Sequence, residues 1–473
     1  MQQIAQSEFE FQGHFGRRVT ADFKGGHQTS DGGCLLLREQ LLLHGLPEKL
    51  AKCFEDFRNP RFVRHGLPTM LAQRIAGLAL GYEDLNDHEQ LRHDPAFVLL
   101  AGNKDLVCSD QGHPLAGKST LNQLEQGAKP EKDKFKYRKI QPCADQIEEL
   151  LLSEGVKAIP RKTREIVLDF DATDDLVHGM QEGRYYHGYY GDYCYLPLFC
   201  FCCDIPLWAQ LRSADRDASL GTDEALEKIV RAIRKRFGRK VRIIVRGDGG
   251  FAREAIMSWC EQNKVQYCFG LSRNPRLSKK LDGVYEKMET RIQEGKLTHP
   301  CRRFLQFQYR TLDSWSRTRR VVGKAELLWE KRNSRFVVTN LPPQGFPGDP
   351  HGRFAPRSLY QGFYCARGDM ENRIKEQQMD LFADRTSCHT MASNQLRLWF
   401  SAFAHLMMAR LRQGALQGTE LSRASIGTIR LKLFKVCARI TLSTRRIHLS
   451  LPSSYPWQNL FVATLRNIQA GFS

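Results

Sequence analysis

Three carboxylates occupy settings in which they could do phosphodiester chemistry. Asp171 closes the apolar run IVLDFDAT, Asp248 closes RIIVRGDGGF, and Glu371 lies in the helix-like stretch YCARGDMENRIKE. Two strand-end carboxylates and a third from a distant helix suit a pair of Mg²⁺ ions, with Mn²⁺ able to substitute. Such cations take hard oxygen ligands and keep positions open for a substrate phosphate. With 71 Lys+Arg against 52 Asp+Glu and a formal net charge of +19, the phosphodiester implied is nucleic acid.

The surroundings of these acids add cations and competitors. On a regular helix, at about 100° per residue, Tyr364, Arg367, Glu371 and Lys375 fall within roughly 80° of one another. Arg367 and Lys375 could then contact DNA phosphates, and Tyr364 could stack or hydrogen-bond at the scissile strand. The plain alternative is a surface ion pair between Glu371 and Lys375, worth only tenths of a kcal/mol. Asp169 competes with Asp171 because alternate strand residues share a face, while Asp174 and Asp175 suit a turn. His178 and His187 sit beside aromatic runs and read as structural. Among the 14 cysteines, Cys200, Cys202 and Cys203 lie in an apolar run and read as small buried hydrophobes. No paired C-x-x-C knuckles suggest zinc.

The elements that must position the acids follow from periodicity. Residues 1–155 read as a mainly helical DNA-binding region, with a polar cap (Ser30, Asp31) before LLLREQLLL and a capping box at Thr120 and Gln123. Residues 156–273 give strand, strand, strand, helix, strand, with an Asp at the ends of the first and fourth strands. That is the layout of an α/β, ribonuclease H-like catalytic core. Its helix, GTDEALEKIVRAIRKRF, takes Thr222 as N-cap and Leu226, Ile229, Val230, Ile233 and Phe237 as its apolar stripe. Residues 274–355 read as a β-rich insertion, 356–412 as the closing helices, and 413–473 as a basic C-terminal tail. Residues 231–242 carry seven basic side chains and no acid, and 413–473 carry eight and one, as phosphate-backbone binding requires. No window is apolar enough for a membrane span, and the N-terminus lacks a signal-peptide layout. The expected setting is therefore the cytoplasm.

The motifs Asp171-x-Thr173, Asp248-Gly-Gly-Phe251 and Tyr364-x2-Arg367-x3-Glu371 resemble those of the DDE transposases of bacterial insertion sequences. TSDGGCLLLRE, GYEDLNDHEQLRHDP and NQLRLWFSAFAHLMMARLR extend the resemblance nearly end to end. It points to the group-one enzymes of insertion-sequence family thirteen-eighty, related in catalytic design to piggyBac. The resemblance implies that Asp171, Asp248 and Glu371 hold two divalent metals. It also implies cleavage at terminal inverted repeats, joining of 3′-hydroxyl ends to target double-stranded DNA, a homodimer on paired ends, and a nucleoid-associated bacterial setting. The family pattern favours Asp171 over Asp169. It places a lysine seven residues after the Glu, where this chain has Gln378; Lys375 is the nearby candidate for that role.

Two other classes compete. GHPLAGKS, Gly112 to Ser119, matches a phosphate-binding loop and would make the protein a nucleotide-hydrolysing helper. The residues before it, however, are polar and poorly strand-like, whereas such a loop follows a buried strand. A non-catalytic DNA-binding protein would use the basic surfaces alone.

Overall fold

The computed structural model describes residues 8–102, 114–126, 139–329, 331–443 and 445–471. The chain forms two compact units: Met1–Cys143 with Asp380–Phe382 and Phe403–Ser473, and Ala144–Met379 with Ala383–Ala402. These divisions differ from those read in the sequence, which broke the chain after residue 155 and closed the core at 412. The second difference falls inside the helix Met391–Arg410. Phe400, Phe403, Leu406, Met407 and Met408 are all buried there, and an apolar run does not tell which core it joins.

The first unit opens with a hairpin, Phe9–His14 against Arg17–Ala21, where helix was expected. Its two-residue loop is Phe15 and Gly16, both at positive φ (46° and 77°), the condition a tight hairpin of this twist imposes. Helices Cys34–His44, Leu67–Leu80 and Lys118–Glu125 follow. The expected capping box at Thr120 and Gln123 does not form. The last of these helices starts at Lys118, with Gly117 as its N-cap, and Glu89 accepts the Lys118 amide at 2.6 Å. A carboxylate therefore holds an amide that a phosphate-binding loop would offer to its ligand, which removes support for that reading. Gly112 and His113 lie outside the described residues. The C-terminal segment is not a tail: Ala438–Ser443 pairs with Arg446–Ser450 and with Gln28–Thr29. In the same unit Lys435 reaches Asp31 at 2.7 Å, and Tyr82 donates to that carboxylate at 2.5 Å.

The second unit is built on one eight-stranded sheet. Its strands are β1 (Glu165–Ala172), β2 (Leu198–Cys202), β3 (Ile205–Gln210), β4 (Arg242–Gly247), β5 (Gln266–Leu271), β6 (Cys301–Tyr309), β7 (Arg319–Leu327) and β8 (Arg332–Thr339). Their order is β3-β2-β1-β4-β5-β8-β7-β6. β1 runs parallel to β4, and β4 parallel to β5; the remaining pairings are antiparallel. The segment read as a β-rich insertion thus extends the main sheet by three strands. Among the described residues no helix is long and apolar enough to cross a membrane.

Strand alternation sorts the faces of β1. Ile166, Leu168 and Phe170 are fully buried, while Val167, Asp169 and Asp171 point the other way. That second face is covered by an apolar cluster of Ile244, Cys268, Val322, Val337, Phe354, Leu359 and Phe363. The amphipathic helix α1 (Thr222–Phe237) buries Leu226, Ile229, Val230 and Ile233 as expected. Its N-cap is Gly221 (φ 78°), not Thr222, because the preceding turn needs a left-handed residue that threonine adopts poorly. Acids in its first turn and Arg234, Lys235 and Arg236 in its last match the helix dipole. Of the cysteines expected to be buried, Cys200 and Cys202 are, but Cys203 is exposed. It occupies the β2–β3 turn at φ 58°.

Asp169 lies directly across from Arg246 in the β1–β4 ladder. The guanidinium donates to both carboxylate oxygens at 2.7 Å and to the Phe363 carbonyl at 2.6 Å. Both side chains are buried. Removing one partner strands the other's charge, so Asp169→Ala should lower unfolding free energy by about 3–5 kcal/mol. Denaturant melts would measure this, and an unchanged midpoint would contradict it.

Candidate active site

Asp171 and Asp248 reach the same end of the sheet because β1 and β4 are parallel neighbours. Asp171 is the penultimate residue of β1. Asp248 follows β4 and caps a short 3₁₀ turn, Gly249–Phe251, by accepting the Gly250 amide at 2.8 Å. The approach is tight, and Gly270 on β5 makes it possible. A Cβ at Gly270 would lie 2.5 Å from the Tyr364 hydroxyl, 2.9 Å from the Gly249 nitrogen and 3.1 Å from the Asp248 carbonyl carbon.

Glu371 comes from α2 (Gly368–Lys375). The path leading to it is not the uniform α-helix that the angular argument assumed. Ser358–Tyr364 is π-helical, Cys365–Arg367 is 3₁₀, and a second π-helical stretch begins at Glu376. Arg367 and Glu371 nevertheless share a face. Arg367 donates to Asp171 Oδ2 at 2.8 Å through one Nη and to Glu371 Oε1 at 3.0 Å through the other. The guanidinium expected to meet a DNA phosphate therefore bridges two of the three acids. The Tyr364 hydroxyl lies against Gly270 as described. Lys375 is exposed, and no ion pair joins it to Glu371 among the described residues. Gln378, at the position of the family lysine, donates to the Asp174 carbonyl at 3.1 Å.

The electrostatics separate the acids. Burial pushes the Asp171 carboxyl up to about 6. Arg367 pulls it down, and the charge of nearby Asp248 pushes it up. Burial also dominates at Asp169, whose carboxyl is raised although Arg246 opposes the shift. Arg246 engages both oxygens of Asp169, whereas Asp171 accepts from Arg367 through Oδ2 and from the Ala172 amide through Oδ1. Burial raises the Tyr364 hydroxyl to about 12, against the pull of Arg367, so it remains a donor at neutral pH. Asp175 does not cap a turn at the surface. It is buried in the short strand Asp175–Leu176, and burial lifts its carboxyl well above the usual range.

Sequence reasoning passed over Tyr190. Its hydroxyl is raised to about 12 by burial, then by Asp174 and Asp171, which places it within electrostatic reach of the site. The cue was the tyrosine-dense run YYHGYYGDYCY just after the first acid. His187 packs its ring on Tyr190 at 4.8 Å.

The donor chemistry fits a divalent metal. Asp171 and Asp248 are hard oxygen donors whose charges repel, and a cation held by both relieves that repulsion. Among the described residues no three His, Cys, Asp or Glu side chains converge as a finished metal cluster, since Glu371 is turned onto Arg367.

Strand-end carboxylates on a large mixed α/β sheet, with a third acid on a helix, are an arrangement that suits an enzyme of phosphodiester cleavage or transfer. The comparison with protein families narrows this. Residues 11–471 match the family described as transposase DDE domain group 1, and the chain belongs to that family: it is a DNA transposase. No curated protein matches it. Among solved structures, a piggyBac transposase synaptic complex with hairpin DNA is similar with a TM-score of 0.37 and 10% identity. The similarity covers 86% of this chain and 80% of that one.

Two outcomes follow. Gly270→Ala should cost about 1–3 kcal/mol, as expected for an overpacked site, and should displace Asp248. Thermal unfolding and metal-binding titration would register both effects. The raised carboxyl of Asp171 also carries a sign. A folded-state value near 6, above the usual carboxylate value near 4, makes ionisation cost stability as pH rises between the two values. Metal-free Asp171→Asn should therefore gain on wild type through that window. By neutral pH the gain is at most about 3 kcal/mol, reduced by the weaker hydrogen bond an amide offers Arg367. A Tm difference independent of pH from 4 to 7 would contradict this.

Proposed function

We propose that this transposase binds the terminal inverted repeats of a bacterial insertion sequence resembling family thirteen-eighty. It cleaves the DNA at the element ends and joins the freed 3′-hydroxyls to target DNA, working as a homodimer on paired ends. The observation that carries the reading is the pairing of Asp171 and Asp248 at adjacent parallel strand ends, with Arg367 linking Asp171 to Glu371. The order β3-β2-β1-β4-β5 supports a ribonuclease H-like core, with β6–β8 continuing its sheet. The setting proposed is the bacterial cytoplasm at the nucleoid.

DDE transposases generally use divalent metal ions. In the proposed site Asp171, Asp248 and Glu371 would hold Mg²⁺, or Mn²⁺ in its place. When bound, the metal would supply Lewis-acid activation of the attacking oxygen and charge stabilisation at the leaving one. The chain's own groups do the rest. Arg367 holds the carboxylates in place and is positioned to exchange one of them for a substrate phosphate, a bidentate partner its planar fork fits equally well. The Tyr364 hydroxyl, kept protonated, would be available to donate a hydrogen bond to the substrate strand near Asp248. The exposed ammonium of Lys375 contacts the DNA backbone.

The test is a Mg²⁺-dependent cleavage assay on the DNA flanking the gene. Asp248→Asn should abolish cleavage and strand transfer while leaving binding to the terminal repeats largely intact. Arg367→Ala should lose no more than about 10²–10³-fold, the scale of one removed electrostatic group. Normal cleavage by Asp248→Asn would reject the assignment.

A further inference from the structure

We infer that a basic notch between the end of β5 and the start of β8 holds the phosphate backbone of the DNA strand beside the reacting phosphate. The inference rests on the transposase reading above and assigns it a backbone subsite. β5 pairs with β8 only from Cys268 opposite Thr339 to Leu271 opposite Phe336. β8 runs on from Phe336 back to Arg332 with β7 alone as partner. The early end of β5 leaves a cavity of about 340 Å³ lined by Ser272, Arg273, Lys331, Arg332, Asn333 and Arg335.

The charges in this notch are unbalanced. Arg332 is held by Glu289 at 2.7–2.8 Å. Among the described residues Arg273, Lys331 and Arg335 have no carboxylate partner, and all three are exposed. Three like charges sharing a concavity repel one another until an anion enters.

The position of the notch points to the anion. Gly270 pairs with Val337, and its open face meets the Tyr364 hydroxyl and Asp248. Alternation places Ser272, two residues after Gly270, and Arg335, two residues before Val337, on that same face. Ser272 Oγ is 3.3 Å from where a Cβ of Gly249 would stand, so the notch begins next to the residue that follows Asp248. From Arg335 to Lys331 the cations run along up to about 13 Å of extended chain, more than a single phosphate bridges. A phosphodiester strand leaving the active site would meet all of them.

The experiment measures binding of a labelled duplex carrying one element end across a chloride series. It compares wild type with the combined variant Arg273→Gln, Lys331→Gln, Arg335→Gln and with the charge-retaining variant Arg273→Lys, Lys331→Arg, Arg335→Lys. Neutralisation should make the slope of log K against log salt shallower by about 2–3, near 0.9 for each phosphate left without its cation. The charge-retaining variant should keep the wild-type slope. An unchanged slope in the neutral variant would overturn the notch while leaving the transposase reading intact. An equally shallow slope in the charge-retaining variant would overturn the electrostatic assignment. Wild-type protein that binds no DNA at all would overturn both readings. Saturable calorimetric binding of inorganic phosphate, abolished by neutralisation while the DNA slope stays unchanged, would reassign the notch to a free anion.

Discussion

The buried fork between Arg246 and Asp169 is the constraint from which the rest of the catalytic unit follows. One guanidinium joins two neighbouring parallel strands and the carbonyl of Phe363, at the end of a helical turn that leads directly to Tyr364 and Arg367. Two charges taken out of water are expensive, and they are tolerated when paired with close geometry and with their other hydrogen-bonding groups met. The cost is offset by position: once strand, strand and helix are pinned at one point, Asp171, Asp248 and Arg367 have little freedom left. Functional groups placed within fractions of an ångström need this kind of support from behind.

Much of this unit could be read from residue order. Apolar runs ending in Asp171 and Asp248 gave two strand ends, and the stripe Leu226, Ile229, Val230 and Ile233 gave the helix between them. What resisted reading was the division of labour between Asp169 and Asp171. Two acids two residues apart on a strand look equivalent, and only the residue opposite each one distinguishes them; Arg246 belongs to a strand far along the chain. The places of Tyr190 and Gly270 were illegible for the same reason, since their meaning lies in which groups approach them. Local turn chemistry was misread where a glycine did the capping: Gly117 and Gly221 took positions assigned to Thr120 and Thr222. Side-chain preference ranks the caps, and the left-handed turn before α1 overruled it.

Arg367 holds an ambiguous place in this arrangement. Its sequence position suggested a hand for DNA, yet in the folded chain it serves as a counter-ion between Asp171 and Glu371. The two roles are compatible because phosphate and carboxylate present the same pair of oxygens to a planar fork. Without such a cation, buried Asp171 would face Asp248 with only repulsion between them. Asp171 and Glu371 are therefore held together by a group whose planar fork also suits a phosphate.

The helical path from Ser358 to Asp380 changes pitch at Cys365, Gly368 and Glu376, and this gives its residue spacings an angular meaning. A wider turn absorbs an extra residue without lengthening the axis in proportion, so everything beyond it is rotated relative to a regular helix. Counting three or four residues from tyrosine to arginine to glutamate thus describes a phase setting along a shaft of variable thread. Gln378 lies beyond the third change of thread, whereas Lys375 lies before it. Whether a cation at either place faces the acids is decided by the turn between them as much as by the number of residues.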